Sequence, residues 1–243
     1  MNATAISVTT EGQAAHYRSE YPSRAEAVVV TPNMMPKVAP SSEKAAEKKR
    51  GSVRLIYTGA MYGPREPSTL LSALALLRLQ EPSVASAVVV EFFGNMPEDI
   101  AARIDAAPGC VRHGPVPYEV ALQAQTDADV LLTIEPPASH PLHLHFMPSK
   151  NLDYIACQKP VLAITPPGSE TESMCLSGYG WAVATGDSGG MAALITEIVR
   201  RRTAGVRLLD LPDISNCRYQ MEVVTAGILR RLERLVRIDA TGI

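Results

Sequence analysis

The sequence predicts an α/β fold, a doubly wound Rossmann-like parallel sheet, on three observations. Short runs of Val, Ile and Leu alternate with longer amphipathic stretches between residues 53 and 202. The short runs are largely apolar, which is typical of strands with helices on both faces of the sheet. The composition, with 46% hydrophobic and 20% charged residues among 243, is that of a chain that buries a real core.

The elements follow one another as strand and helix units. The predicted strands are Ile6–Thr9, Val28–Val30, Val53–Thr58, Ala87–Phe93, a very short one at Val111, Val130–Ile134, Val161–Ile164 and Ala182–Ala184. The predicted helices are Gln13–Tyr21, Pro67–Gln80, Pro97–Ala107, Tyr118–Gln125, Lys150–Cys157, Glu170–Leu176, Met191–Arg202 and Tyr219–Val236. Right-handed crossovers then predict a main sheet of about six strands.

The same pattern divides the chain into three segments. Residues 1–35 form a separate βα unit, and residues 36–51, rich in Pro, Ser, Lys and Glu, are expected to be a flexible linker. Residues 52–243 form the Rossmann-like domain, which ends in an amphipathic closing helix.

Charge and cysteine content limit the possible partners. A net charge of −2 and a pI near 6.2 give no global field for nucleic acid or for an anionic membrane, so a small anionic ligand would be held locally. The four cysteines lie far apart, which argues against a zinc knuckle and a disulfide framework. The sequence also shows no apolar stretch of about 20 residues and no signal peptide. We therefore expect a cytoplasmic protein.

The loop after the strand Val53–Thr58 is the first candidate for ligand binding, because ligands of open parallel sheets bind at the carboxyl ends of the strands. Gly59 permits close backbone approach, and Arg65 offers a planar guanidinium suited to a diphosphate. An ordinary βα loop with an exposed arginine explains this segment equally well, since it matches neither a P-loop nor the dinucleotide-binding glycine fingerprint.

The start of the helix at Lys150 is the second candidate. Ser149 is a natural N-cap residue, and the positive end of the helix can hold a phosphate beside Lys150. Asp153 lies one turn further on, where its carboxylate can accept hydrogen bonds from ribose hydroxyls. A plain capping arrangement, with Asp153 compensating the helix dipole, is the alternative.

Two further loops complete the set of candidates. His113 and Val116 belong to a short, stiff segment that could form a wall against a base. His140, His143 and His145 lie within six residues and raise the question of a metal. A mobile active-site loop is the favoured interpretation, because zinc sites usually add a cysteine or carboxylate ligand at regular spacing. We predict no metal site.

Taken in order, these segments resemble the C-terminal, nucleotide-sugar-binding domain of retaining GT-B glycosyltransferases (family 4-like) that build bacterial surface polysaccharides. The matching segments are 57–73 (YTGAMYGPREPSTLLSA), 114–117 (GPVP), 128–132 (ADVLL), 148–162 (PSKNLDYIACQKPVL), 168–169 (GS) and 178–180 (GYG). Residues 6–11 and 30–33 resemble the last βα unit of the family's N-terminal domain and the start of its linker. The resemblance thus identifies residues 1–35 as a remnant of a domain that is mostly absent.

The resemblance implies a glycosyltransferase of the hexosyltransferase type, acting from a nucleotide diphosphate sugar on a glycan or lipid-linked acceptor. It implies no cofactor and no tightly bound divalent metal. Arg65, Ser149 and Lys150 would hold the diphosphate, and Asp153 the ribose. The acceptor half would come from a separate N-terminal domain chain or from a homo-oligomer, and peripheral contact with the inner membrane face is an alternative to a purely cytoplasmic location.

Three differences from the family limit the assignment of catalytic residues. Ala60 stands where the family often has an arginine, and His145 and Asp153 stand where it often has two glutamates. The histidine that the family's N-terminal domain contributes is absent, so we assign no catalytic residue. A degenerate, non-catalytic interaction module is the alternative function. A nucleotide-sugar epimerase would share the architecture but would need a carboxylate and a histidine across two complete domains.

Overall fold

The computed structural model describes residues 5–37, 51–215 and 217–241, with side chains described as far as residue 233. In these residues two parallel sheets form. The smaller sheet pairs β1 (Ile6–Val8) with β2 (Val28–Val30). The larger sheet contains β3 (Val53–Thr58), β4 (Val88–Phe93), β5 (Cys110–Gly114), β6 (Val130–Ile134), β7 (Val161–Ile164) and β8 (Gly180–Val183). Most of the predicted linker, residues 38–50, lies outside the described residues.

The six strands of the larger sheet lie in the order β5-β4-β3-β6-β7-β8. The chain runs outward from β3 to one edge, returns to β6 beside β3, and then runs to the other edge. Strand order therefore reverses between β3 and β6, which creates the crevice where doubly wound proteins bind ligands. The predicted doubly wound sheet of about six strands is confirmed.

Helices cover both faces of this sheet. They are α2 (Ser68–Gln80), α3 (Pro82–Ser86), α4 (Glu98–Asp105), α5 (Tyr118–Thr126), α6 (Lys150–Ala156), α7 (Glu170–Met174) and α8 (Ser188–Thr203). Strand β3 shows how the sequence supplies two cores: Leu55 and Tyr57 pack into one buried cluster and Ile56 into the other. Because successive side chains of a strand point to opposite faces, a continuous apolar run fills both.

Several elements differ from the sequence prediction. The strand predicted at Val111 extends over Cys110–Gly114, and the helix predicted over Glu170–Leu176 passes into a wide turn at Cys175–Tyr179. Gly178 has a φ of 98°, which ends the helical path there. The short 3-10 helices Pro22–Ala27 and Pro141–His145, and the short helix α3, were not predicted. Each begins at a proline, a residue compatible with a first helical position.

Several contacts join the N-terminal unit, β1, α1 (Glu11–Glu20) and β2, to the larger domain. Thr10 Oγ1 donates a 2.7 Å hydrogen bond to the carbonyl of His145. Met35 is buried in the second core cluster, and its amide donates to the Tyr219 carbonyl. Arg231, from the closing helix α9 (Met221–Thr241), donates to the Glu26 carbonyl at 3.1 Å. In the described part of the chain, no helix is both long enough and apolar enough to span a bilayer.

Candidate functional site

The candidate site lies where β3, β4, β6 and β7 end, beside the reversal of strand order. Two open cavities meet there. The first, of about 430 Å³, is the Asp153 cavity, with Gly59, Val116, Lys150 and Asp153 in its wall. The second, of about 330 Å³, is the Glu135 cavity; its polar lining residues are Tyr62, Arg65, Glu135, His143 and Ser169. Lys150 and Arg65 place one basic side chain in each wall.

The loop after β3 brings its backbone against the loop after β4. The Gly59 amide donates to the Phe93 carbonyl at 2.8 Å, and the Met61 amide donates to the Asn95 carbonyl at 2.8 Å. Gly94 has a φ of 130°, and a Cβ there would lie 2.3 Å from the Gly59 carbonyl oxygen. Only a glycine permits that approach. The sequence analysis named Gly59 as a candidate ligand-binding residue of this loop. It did not name Gly94, which follows the neighbouring strand β4.

Lys150 points from the start of α6 to the end of β3. Its Nζ donates to the Thr58 carbonyl at 3.3 Å and lies 3.7 Å from the centroid of the Tyr57 ring. Burial, and then repulsion by Arg65, hold the pKa of Lys150 well below its ordinary value, while Glu135 opposes that shift. An anion bound beside Nζ would relieve the cost of placing a charged ammonium there.

Arg65 has hydrogen-bonding capacity that the protein leaves unused. Its guanidinium lies 4.8 Å from the Tyr62 ring centroid, and Nη1 reaches the Ala60 carbonyl at 3.5 Å. Its Nε is buried and has no hydrogen-bond partner. A buried donor without a partner carries a penalty of about 1–3 kcal/mol that an acceptor from a ligand would remove.

The structure contradicts the predicted cap at Ser149 and places Asp153 in a cavity wall. The predicted capping hydrogen bond of Ser149 is wrong: its backbone is already helical, with φ −57° and ψ −33°, and its side chain makes no capping bond. The Asn151 amide bonds to the Pro148 carbonyl, which starts the turn earlier. Asp153 lines the Asp153 cavity as a half-buried carboxyl, and burial raises its pKa.

His113 lies next to the cavities but lines neither of the two. Its ring stacks on Phe93, with centroids 4.2 Å apart, and its Nε2 lies 2.9 Å from Glu91 Oε2. Val116 lines the Asp153 cavity together with Pro115. The structure therefore brings Gly59, Val116, Lys150 and Asp153 together, places Arg65 in the adjoining wall, and leaves His113 and Ser149 outside both.

Glu135 is a buried cavity residue that the sequence analysis did not single out. It follows β6 directly, is 9% exposed, and lines the Glu135 cavity. Its carboxylate accepts hydrogen bonds from Thr165 Oγ1 and from Thr171 Oγ1, the latter at 3.0 Å. Burial raises the pKa of Glu135. The available signal was a single acidic residue directly after a largely apolar strand.

The histidine segment forms a 3-10 helix, Pro141–His145, beside the N-terminal unit. The ring of His140 lies 6.5 Å from that of His16 and 5.9 Å from that of His143. Across the residues that the structure describes, no group of three or more His, Cys, Asp or Glu side chains is placed to hold a metal ion. His143 lines the Glu135 cavity.

Comparison with known proteins gives structural matches only. No family model matches the sequence, and no curated protein matches it. Among solved structures, S. aureus TarM in a mutant form bound to UDP is 13% identical, with a TM-score of 0.63. Anabaena HepE with UDP is 15% identical, with a TM-score of 0.65. The lipopolysaccharide outer core galactosyltransferase WaaB is 12% identical, with a TM-score of 0.64.

The three matches cover 96% of this chain but only 43% of TarM, 64% of HepE and 62% of WaaB. The chain thus spans roughly half the length of these structures. At such identities the likeness concerns the fold, and it covers both the six-stranded domain and the N-terminal unit. The chain has a GT-B glycosyltransferase-like fold.

Proposed function

We propose that this chain is the donor-binding half of a glycosyltransferase, which binds a nucleotide diphosphate sugar across the two cavities. The observation that carries the proposal is the unsatisfied Arg65 Nε beside Lys150, at the carboxyl ends of the central strands. Two cations and a vacant buried donor at that point fit a diphosphate. The likeness to HepE, solved with UDP and with UDP and glucose, supports this chemistry.

In this proposal the nucleoside occupies the Asp153 cavity. Val116 and Pro115 offer apolar contact to the base, and the Asp153 carboxylate accepts hydrogen bonds from the ribose hydroxyls. Gly59 lets the diphosphate approach the backbone, and Lys150 and Arg65 face its charge. The sugar then extends into the Glu135 cavity.

The proposed reaction is transfer of a sugar to an acceptor hydroxyl in surface polysaccharide or glycan biosynthesis. Negative charge builds on the diphosphate as the glycosidic bond to it breaks, and preorganised cations stabilise that charge. Lys150 and Arg65 would supply this stabilisation without a divalent metal. We assign no residue to attack or to proton transfer.

Transfer also needs an acceptor site. We propose that it forms with a second domain, supplied by another chain or by a second copy, and that it holds a glycan or a lipid-linked acceptor. A GtfA/B complex among the structural matches, with a TM-score of 0.62, supports assembly with another protein. A cytoplasmic location, with or without peripheral contact with the inner membrane face, fits such an acceptor.

Calorimetric titration of the chain with UDP and GDP, with and without Mg²⁺, tests the proposal. We expect saturable binding of one of them without Mg²⁺, and loss of most of the binding in Arg65→Ala and in Lys150→Ala. Arg207→Ala is the matched control, because Arg207 is an exposed cation paired with Asp210, away from both cavities. If neither nucleotide binds, the chain is a non-catalytic interaction module instead.

A further inference from the structure

A third of the residues that line the Glu135 cavity offer no backbone hydrogen-bond donor. Four prolines line it, Pro136, Pro137, Pro148 and Pro166, and a proline has no backbone N–H. Tyr62, Phe146 and Met147 add further apolar surface. Arg65 is the only lysine or arginine among the described residues that line it. A group entering this cavity thus meets largely apolar walls, one guanidinium, the Glu135 carboxylate and the polar side chains of Tyr62, His143 and Ser169.

Glu135 is held in place by a chain of buried polar side chains. Asn151 Nδ2 donates to Thr171 Oγ1 at 3.0 Å, so the single hydroxyl proton of Thr171 is left for Glu135 Oε1. Thr165 Oγ1 donates to Oε2 and lies 2.6 Å from Ser169 Oγ. Because both threonines donate to Glu135, its oxygens serve as acceptors.

A carboxylate has about four acceptor positions, and the two threonines use two of them. The remaining positions are available to a ligand in the cavity, since Glu135 is part of its lining. Hydroxyl groups can donate to these positions. A second carboxylate would find no donor at Glu135 and no backbone amides at the four prolines, and it would face the negative charge of Glu135, whereas hydroxyl groups could bond to Glu135 as well as to Tyr62, His143 and Ser169.

Building on the proposed function, we propose that Glu135 selects a neutral, hydroxyl-bearing sugar on the donor and excludes sugar acids. The diphosphate engages Arg65 and Lys150, so neither cation is free to neutralise a carboxylate on the sugar. Like charges placed together without a counter-ion strongly disfavour binding, which is how charged residues reject the wrong ligand. Glu135 is thereby a specificity-determining residue of the donor site.

Calorimetric titration with matched nucleotide sugars tests this proposal. The probes are UDP-glucose against UDP-glucuronate, and GDP-mannose against GDP-mannuronate. We expect the neutral sugar nucleotide to bind at least about tenfold more tightly than its acid, because repulsion by Glu135 acts on the acid alone. In Glu135→Gln we expect this ratio to fall to within about threefold, mainly through tighter binding of the acid.

Glu172→Gln is the matched control, since it removes a nearby carboxylate that bonds to the Gly168 amide and lines neither cavity. It should keep the native ratio. Equal binding of acid and neutral sugar by the native protein would overturn the selectivity, and an unchanged ratio in Glu135→Gln would overturn the assignment to Glu135. Both results leave the proposed function standing if UDP or GDP binds. Failure of every nucleotide to bind would overturn the two proposals together.

Discussion

The six-stranded domain and the N-terminal unit are built from the same strand and helix pieces but are held together differently. The larger domain buries two extensive apolar clusters, one on each face of its sheet. The core of the N-terminal unit consists of Val8, Ala14 and Val28, between strands of three residues each. Since a two-stranded sheet is at best marginally stable alone, the small unit depends on its contacts with the larger domain.

The first way to test this difference is to remove equivalent buried side chains from both regions. Leu132→Ala, at a fully buried position in β6, should lower the free energy of unfolding by about 2–5 kcal/mol. Val28→Ala removes the equivalent of about two buried CH₂ groups from the N-terminal unit, which corresponds to about 1.6 kcal/mol of stability. We expect this loss to appear as local opening of the N-terminal unit rather than as global unfolding of the chain.

Urea denaturation followed by circular dichroism measures the global effect, and amide hydrogen exchange measures the local one. Leu79→Ala is the control, because Leu79 is 82% exposed and its change should stay within about 0.5 kcal/mol. If Val28→Ala shifted the global midpoint as far as Leu132→Ala, the two regions would form one cooperative unit and the contrast would be lost.

The second test compares buried polar contacts. Tyr154 is fully buried; its hydroxyl accepts from the Thr58 amide at 3.1 Å and donates to the Leu132 carbonyl at 3.2 Å. Tyr154→Phe should cost about 1–3 kcal/mol of global stability, because it leaves a buried amide without an acceptor. In the N-terminal unit, Gln13 Oε1 accepts from the Thr9 amide at 2.9 Å.

Gln13→Ala should cost less than about 1 kcal/mol, since Thr9 is partly exposed and water can replace the acceptor. Urea midpoints of the two variants, read against the native protein, give the comparison. A larger global loss for Gln13→Ala than for Tyr154→Phe would mean that the N-terminal unit supports the larger sheet and not the reverse.

The sequence could predict those parts of the fold and of the candidate site that depend on local composition and spacing. Strands β3, β6 and β7 have the predicted bounds, because strands covered on both faces are continuous apolar runs. Gly59, Lys150 and Asp153 line one cavity, as expected from their positions at strand and helix ends, which doubly wound topology brings together. Local composition and spacing were sufficient for those features.

The features that depend on long-range neighbours could not be predicted in the same way. Glu135 takes its place from Thr165 and Thr171, which lie 30 and 36 residues further along the chain. His113 is held by Glu91 on the adjacent strand, a pairing fixed by sheet register. A single sequence gives residue types in order, whereas these contacts depend on which strands become neighbours.

The last test acts on the contact between the two regions. A Cβ added at Gly12 in α1 would lie 2.2 Å from Nδ1 of His145, so Gly12→Ala forces that ring or the whole unit to move. Helix propensity alone would favour the alanine by about 1 kcal/mol, so any loosening reflects the clash. We expect faster hydrogen exchange in α1, β1 and β2, while the urea midpoint of the six-stranded domain stays nearly constant.

Two further variants test whether the clash with the His145 ring causes the faster exchange. Gly227→Ala places the same substitution in α9, where a Cβ would meet nothing within 4 Å, and should not loosen the N-terminal unit. Gly12→Ala combined with His145→Ala removes the opposing ring and should restore native exchange rates, because coupled positions show non-additive effects. Continued fast exchange in the double variant would show that the clash with the His145 ring is not the cause of the loosening.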